Sequence, residues 1–269
     1  MLEKASPSKI GGSGRRRQMS EEMKSNSQSE RQALLQKLRT APQLFTLVSV
    51  CTKEPYLTCD PETFDDEVRL FFQPEEAKAQ AKKLLDEKVP VTVAKMENQQ
   101  MLMFYTNLYT MGANALRVLD DGMETVFQLQ DIVRKREPDQ LPEGTVWVEN
   151  PQLHLTSLYY AQELRRQEKT ENNSQLREYQ EEISVNYRKG KYILAVQKED
   201  KGTPLVKLTD ENMYQPVFTD ILEFNKFNKE NKFTPIVLSA DKIAQLLPPE
   251  AKGVVLNLLG VSLPMALRK

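Results

Sequence analysis

Histidine is almost missing from this 269-residue chain, which carries one imidazole, His154, and two cysteines, Cys51 and Cys59. A single histidine cannot build a multi-His metal site, and a Ser-His-Asp relay would hang entirely on it. It stands between two leucines in "PQLHLT", the setting of an ordinary, partly buried imidazole. The cysteines fall on runs that read as neighbouring strands, where a disulfide is geometrically conceivable. A chain of this size does not need one, so both read as free packing thiols. The 10 glycines are scattered, with neither a Walker phosphate loop nor a G-x-G-x-x-G fingerprint, so no cofactor is expected. Charge of one sign is also lacking: 37 basic against 38 acidic residues leave no global field to favour nucleic acid or an anionic membrane. No apolar run approaches the roughly 20 residues that span a bilayer, and the N-terminus has no secretory apolar core. A cytoplasmic protein without membrane insertion is the resulting expectation.

What is present is an ordinary globular composition, 39% hydrophobic and 28% charged, enough for one large domain or two small ones. Residues 1–30 hold few large apolar side chains and read as a disordered tail, in which Arg15, Arg16 and Arg17 form a solvated basic cluster. Asp60, Glu62, Asp65, Asp66 and Glu67 are dense enough to offer oxygens to a divalent cation, but their spacing is not that of an EF-hand, and a solvated hairpin loop is expected. Met96, Met101, Met103 and Met111 read as core filler.

The organising feature is a repeat. A helix over "ERQALLQKLR" leads to the strand runs "LFTLVSV", "PYLTC" and "VRLFF", the helix "PEEAKAQAKKLLDEK" and the strand "VPVTVAK". The same order returns as "YILAVQK", "TPLVKLTD", "YQPVF", "DILEFNKFNKEN" and "TPIVLSA", with Tyr192 answering Phe45 and Phe218 answering Phe72. "GVVLNLLG" then answers "FYTNLYTMG" as the closing strand and turn of each copy, which pairs Asn257 with Asn107 and Gly260 with Gly112. The pattern predicts an α+β fold of two tandem αβββαβ-type repeats, each a mixed sheet covered by helices on one face. The first repeat with its connecting elements occupies 31–168 and the second 175–269. Between them "LQDIVRKRE" reads as a helix, "TVWVEN" as a strand, "LTSLYYAQELRRQ" as a helix and "EKTENNS" as a linker.

"TPLVKLTDENMYQPVFTDILEFNKF" and "FTPIVLSADKIAQLLPPEAKGVVLNLLGVSLPM" together resemble the N-terminal domain of the SseB family, the "enhanced serine sensitivity" proteins of bacteria. The resemblance spans about residues 190–266 and rests on Phe218, Thr219 and Asp220 followed by Asn257 and Gly260. The middle of the chain is similar to the two-part members of low-GC Gram-positive bacteria. Leu258, and Leu108 in the first copy, stand where the family commonly has a proline. The resemblance implies a small cytosolic α+β module with no established reaction.

No residue set reads as catalytic. The candidate partner-binding stretch is Tyr159, Tyr160, Gln162, Glu163, Arg165 and Arg166, where adjacent aromatics on a charged helix cannot all face one core. Asn107 and Asn257, polar groups amid apolar neighbours, are candidates either for backbone hydrogen bonding in a turn or for a ligand; in the first role, each replaced by Ala should cost on the order of 1 to 3 kcal/mol. The leading expectation is a non-enzymatic interaction or regulatory module with a protein partner. A small-metabolite, amino-acid-sensing cleft between the repeats is the alternative, and a hydrolase or transferase the weakest.

Overall fold

The computed structural model describes residues 28–135, 147–165, 174–199 and 202–267. The chain divides into two compact units, Met1–Ala41 and Pro42–Lys269. In the first, residues 28–40 form helix α1, where the Thr40 hydroxyl donates to the carbonyl of Gln36. The second unit contains both sheets.

The first repeat runs β1 (Gln43–Ser49), β2 (Leu57–Cys59), β3 (Asp66–Phe71), α2 (Pro74–Asp86), β4 (Val91–Glu97), α3 (Asn98–Met111), β5 (Ala115–Asp120) and β6 (Met123–Gln128). The helix α4 (Pro151–Leu164) follows. Next come α5 (Ser174–Lys189), β7 (Lys191–Gln197), β8 (Val206–Lys207), β9 (Met213–Phe218), α6 (Ile221–Phe227), β10 (Phe233–Ser239), α7 (Ala240–Leu246), β11 (Ala251–Leu256) and β12 (Leu263–Ala266). The sheets share one topology, β4-β1-β3-β5-β6 and β10-β7-β9-β11-β12. In each, one edge of the central strand is divided: β1 and β2 both pair with β3, and β7 and β8 both pair with β9. The fold is α+β with two tandem repeats of mixed sheets flanked by helices.

Each repeat is longer than expected by one helix and two strands. "FYTNLYTMG" lies in α3, and the strand that runs parallel to β3 is β5, "ALRVLD". It is β11 that runs parallel to β9 in the second sheet, so β5 is its counterpart and Asn107 is not the counterpart of Asn257. The cause is local: Met101, Tyr105, Leu108 and Met111 are buried at helical spacing, a period that a short apolar run does not display plainly. Register also differs by one residue. Phe45 pairs with Phe71 and Ile193 with Phe218, so the counterpart of Phe218 is Phe71, not Phe72, and that of Phe45 is Ile193, not Tyr192. Neighbouring aromatics, Phe71 and Phe72, make the two registers look alike in the sequence, and a slip of one turns a strand's side chains to the other face.

Helices cover both faces of each sheet rather than one. Consecutive buried residues in β1 (Leu44 to Leu47) and β9 (Tyr214 to Phe218) point alternately up and down, so neither face is open. Topology explains this: β3 to β4 crosses in one direction through α2 and β4 to β5 returns through α3, and crossovers of one hand in opposite directions lie on opposite faces. On one face Ala77, Ala81 and Leu84 of α2 pack on Phe45, Leu47, Phe71 and Val91. Phe224 of α6 packs correspondingly on Ile193, Ala195 and Phe218.

Residues 129–135 hold only a 3-10 turn, Leu129–Asp131, in place of the expected helix, and residues 147–150 of "TVWVEN" form no strand. Met96, Met101 and Met111 are core, whereas Met103 is 62% exposed and is not filler. The Arg15–Arg17 cluster lies outside the described residues.

Gly112 is the C-cap of α3. It takes φ +88, and a Cβ there would stand 2.7 Å from the carbonyl oxygen of Pro151 and 2.9 Å from Leu155 Cβ. Left-handed strain and overpacking act together, so Gly112→Ala should lower the unfolding free energy by about 2 to 4 kcal/mol in urea. An unchanged midpoint would show that α3 and α4 do not meet at this carbonyl.

Candidate functional site

Helix α4 has apolar or uncharged residues buried on almost every side, Leu153 through Leu158 and Ala161, as a central helix must. Its candidate interface residues separate into different roles. The Tyr159 hydroxyl donates to Asp66 Oδ1 at 2.6 Å, and the ring stacks on Tyr179. Burial, the bond to Asp66 and its charge all hold this phenol well above the usual tyrosine range. The Gln162 amide grips one residue of β2, with Nε2 donating to the Leu57 carbonyl at 3.2 Å and Oε1 accepting the Leu57 N–H at 3.4 Å. Arg165 donates to the Cys51 carbonyl at 3.4 Å. Glu163 is half-buried and adds to the field that raises Tyr179. Tyr160, by contrast, accepts from Gln180 of α5 at 2.8 Å and faces a groove. Arg166 lies outside the described residues. Tyr159 and Gln162 therefore fasten α4 to the first sheet.

The acidic loop is not simply solvated. Asp60 Oδ1 accepts the N–H groups of Glu62 and Thr63, while Arg117 of β5 donates to Glu67 at 2.6 and 2.9 Å, to Asp60 at 2.7 Å and to Glu124 at 3.2 Å. Glu67 is buried by this contact. The loop's backbone N–H groups, with Arg117 behind them, hold Asp60 below the usual carboxylate range. Asp65 accepts from Asn114 and Gln128. Among the described residues no group of three or more His, Cys, Asp and Glu is arranged to hold a metal. Both cysteines are free.

The densest polar constellation lies where the repeats meet. His154 is fully buried, not partly so, with Nδ1 3.4 Å from Thr219 Oγ1 and 3.8 Å from Asp220 Oδ2. Asp220 is the N-cap of α6: Oδ1 accepts the N–H groups of Leu222 and Glu223, and Oδ2 accepts the Thr219 hydroxyl at 2.7 Å. Asn257, at φ +47 beyond β11, accepts the Thr219 N–H at 3.0 Å and donates to Thr219 Oγ1 at 2.9 Å. Asn150, before α4, donates to the carbonyls of Lys191 and Thr219. Lys226 of α6 donates at 2.5 Å to both Glu223 and Glu54, the latter in the β1–β2 connection of the other repeat. A Cβ on Gly260 would stand 2.8 Å from Glu54 Oε1 and 3.0 Å from Glu223 Oε2, so the turn closes directly over the two carboxylates.

Thr219, His154 and Asp220 are the residue types of a hydrolytic relay, yet the geometry is not one. The hydroxyl is spent on the carboxylate directly, and all three side chains are cut off from solvent, so no substrate carbonyl can reach them. Glu54, Glu223 and Lys226 were not read from the sequence. Their one signal was an acid three residues beyond a capping Asp and a lysine three further, in "DILEFNK", which also fits an exposed helix face.

Two of the concavities open to solvent bear on function. A groove of about 900 Å³ runs between α5, α7 and β12, lined by Ile183, Tyr187, Ala244, Met265 and Leu267 with Tyr160 at its wall. A cleft of about 310 Å³ lies between the repeats, with Met96, Phe104, Leu259 and Asn107 around Glu54 and Lys226.

No family model and no curated protein matches the chain. Among solved structures, "Tic22 from Plasmodium falciparum" aligns over 82% of this chain and 89% of its own, at 13% identity and a TM-score of 0.23. "Anabaena Tic22 (protein transport)" aligns over 82% and 92%, at 12% identity and a TM-score of 0.22. Likenesses at this level carry no argument about fold or function.

The two asparagines should now part company. Asn257→Ala strands the Thr219 N–H in a buried setting and should cost on the order of 1 to 3 kcal/mol in urea. Asn107, half-buried on a helix with a weak 3.3 Å contact from Thr110, should change stability by less than about 0.5 kcal/mol on replacement by Ala. Equal costs would contradict the assignment of Asn107 to a helix face.

Proposed function

We propose that this chain is a non-enzymatic module that holds a segment of a protein partner, with the groove between α5, α7 and β12 as its binding surface. One observation carries the reading: the open groove of about 900 Å³ has an apolar floor, Ile183, Ala244, Met265 and Leu267, walled by aromatic Tyr160 and Tyr187 with Gln180, Arg188 and Asp241 at its rim. Apolar centre, aromatic anchors and a polar rim are what protein interfaces use. The sealed His154 network supports the absence of catalysis in the proposal, since it offers no route to substrate. Membership of the SseB family and a cytosolic setting belong to the same proposal and rest on the resemblance of residues 190–266. No helix among the described residues is long and apolar enough to cross a membrane.

A second reading keeps one specific observation in its favour. The cleft between the repeats brings Asn107, Glu54 and Lys226 together within apolar walls, which suits a small polar metabolite.

Selection of peptides from a random display library on the full chain distinguishes the two. The groove reading predicts enriched peptides whose affinity falls at least tenfold on Ala244→Arg, which fills the groove, and is unchanged by Asn107→Ala. Peptides insensitive to Ala244→Arg would reject it. A melting temperature raised by a metabolite and restored by Asn107→Ala would favour the cleft instead.

A further inference from the structure

The junction network holds more acid than base. Glu54, Asp220 and Glu223 are buried together, 5%, 1% and 1% exposed. The cationic groups that act on them are Lys226, bridging Glu54 and Glu223, and the imidazole of His154 beside Asp220. They come from the β1–β2 connection, from α6 and from α4, while the Asn257–Gly260 turn that closes over them brings an amide, two leucines and a glycine. Glu223 Oε2 and His154 Nε2 are buried with no hydrogen-bond partner among the described residues. With all three carboxylates ionised, the cluster is negative even when the imidazole is protonated. Buried excess charge of this kind is unfavourable unless a proton relieves it.

We propose that this cluster is a proton-controlled latch between the repeats: a proton held by Glu54 and Asp220 keeps the junction closed, and its loss as the pH rises leaves a buried charge that loosens the contact. The geometry makes Lys226 the pivot, because it is bonded to a carboxylate from each repeat. Although its own burial acts against the charge, Glu54 and Glu223 keep the Lys226 ammonium above its ordinary 10.5, so it stays charged while Glu54 and Asp220 titrate.

The sign follows from linkage. Burial, partly offset by Lys226, raises Glu54 above its ordinary 4.5, and burial, partly offset by His154, raises Asp220 above 3.8. A carboxyl with a raised folded value binds its proton more tightly when folded. Its contribution is therefore full below the unfolded value and is lost as the pH climbs through the folded one. Surface carboxylates behave oppositely: Asp60, held low by backbone N–H groups, and Asp210, held low by Asn212 and Tyr214, lose their contribution on acidification.

The test is urea unfolding of the full chain from pH 5 to 9, compared with Glu54→Gln and Asp220→Asn. Gln keeps an acceptor for Lys226, and Asn is a good N-cap. Relative to Glu54→Gln, the folding equilibrium constant of the natural chain should fall by up to tenfold per pH unit across the window where the proton leaves. Parallel curves would overturn the proposal. Amide exchange in residues 50–56 and 257–260, corrected for its intrinsic pH dependence, should accelerate over the same window in the natural chain and not in Glu54→Gln. The sole histidine supplies a readout that needs no variant: labelled imidazole nitrogens should shift along the same curve, and a resonance indifferent to that window would count against the latch even if both variants failed to fold.

Discussion

Glu54 and Glu223 belong to different repeats and share one ammonium, that of Lys226, at 2.5 Å each. Both carboxylates are buried, so the ammonium they share is their principal compensation. Removing the lysine would leave uncompensated buried charge, which in proteins commonly costs about 3 to 5 kcal/mol. The rest of the junction is built outward from this constraint. Glu223 is held at the first turn of α6 by Asp220, the cap; Asp220 is held by Thr219; Thr219 is held by Asn257 in its left-handed turn. Each member satisfies a group of the next, which is how a buried polar network becomes tolerable.

Helix α4 extends the same logic along its length. At one end Asn150 donates to two carbonyls of the second repeat, and His154 enters the network around Asp220. At the other end Tyr159 and Gln162 bond Asp66 and Leu57 of the first. The helix is thus a strut with a polar anchor on each sheet. What it leaves over is Tyr160, turned toward α5 and the groove that Ile183, Ala244 and Met265 line. A junction fixed by paired polar groups beside an apolar groove suits the proposed holding role, which needs a preorganised shape more than it needs reactive groups.

The alternation of strands and helices, the tail-side helix and the duplication were legible because they depend on local periodicity. Ala77, Ala81 and Leu84 recur at helical spacing, and Phe45, Leu47 and Phe71 alternate along strands, whatever the distant chain does. The closing elements were misread for the reason that makes short apolar runs ambiguous: "FYTNLYTMG" and "GVVLNLLG" look alike as strings, yet one buries a helical stripe and the other a strand covered on both faces. Of the candidate site, Asn257 was found because a polar residue in an apolar run must be bonded to something. Glu54, Glu223, Lys226 and Arg117 were not, because their partners come from separate elements, Glu54 and Lys226 across the repeats and Arg117 and Glu67 across a parallel strand pair. A charged residue whose counter-ion is remote in sequence reads as a solvated face until the fold brings the two together.

The bond between the repeats is tested most directly by a double-mutant cycle on Glu54→Ala and Lys226→Met, followed by urea unfolding. Each single change should destabilise the chain, and the pair should be less harmful than the sum by on the order of 1 to 3 kcal/mol, because the second change removes the charge that the first left unpaired. Additive costs would contradict the account, showing that Glu54 and Lys226 contribute independently and that this pair does not bind the repeats together.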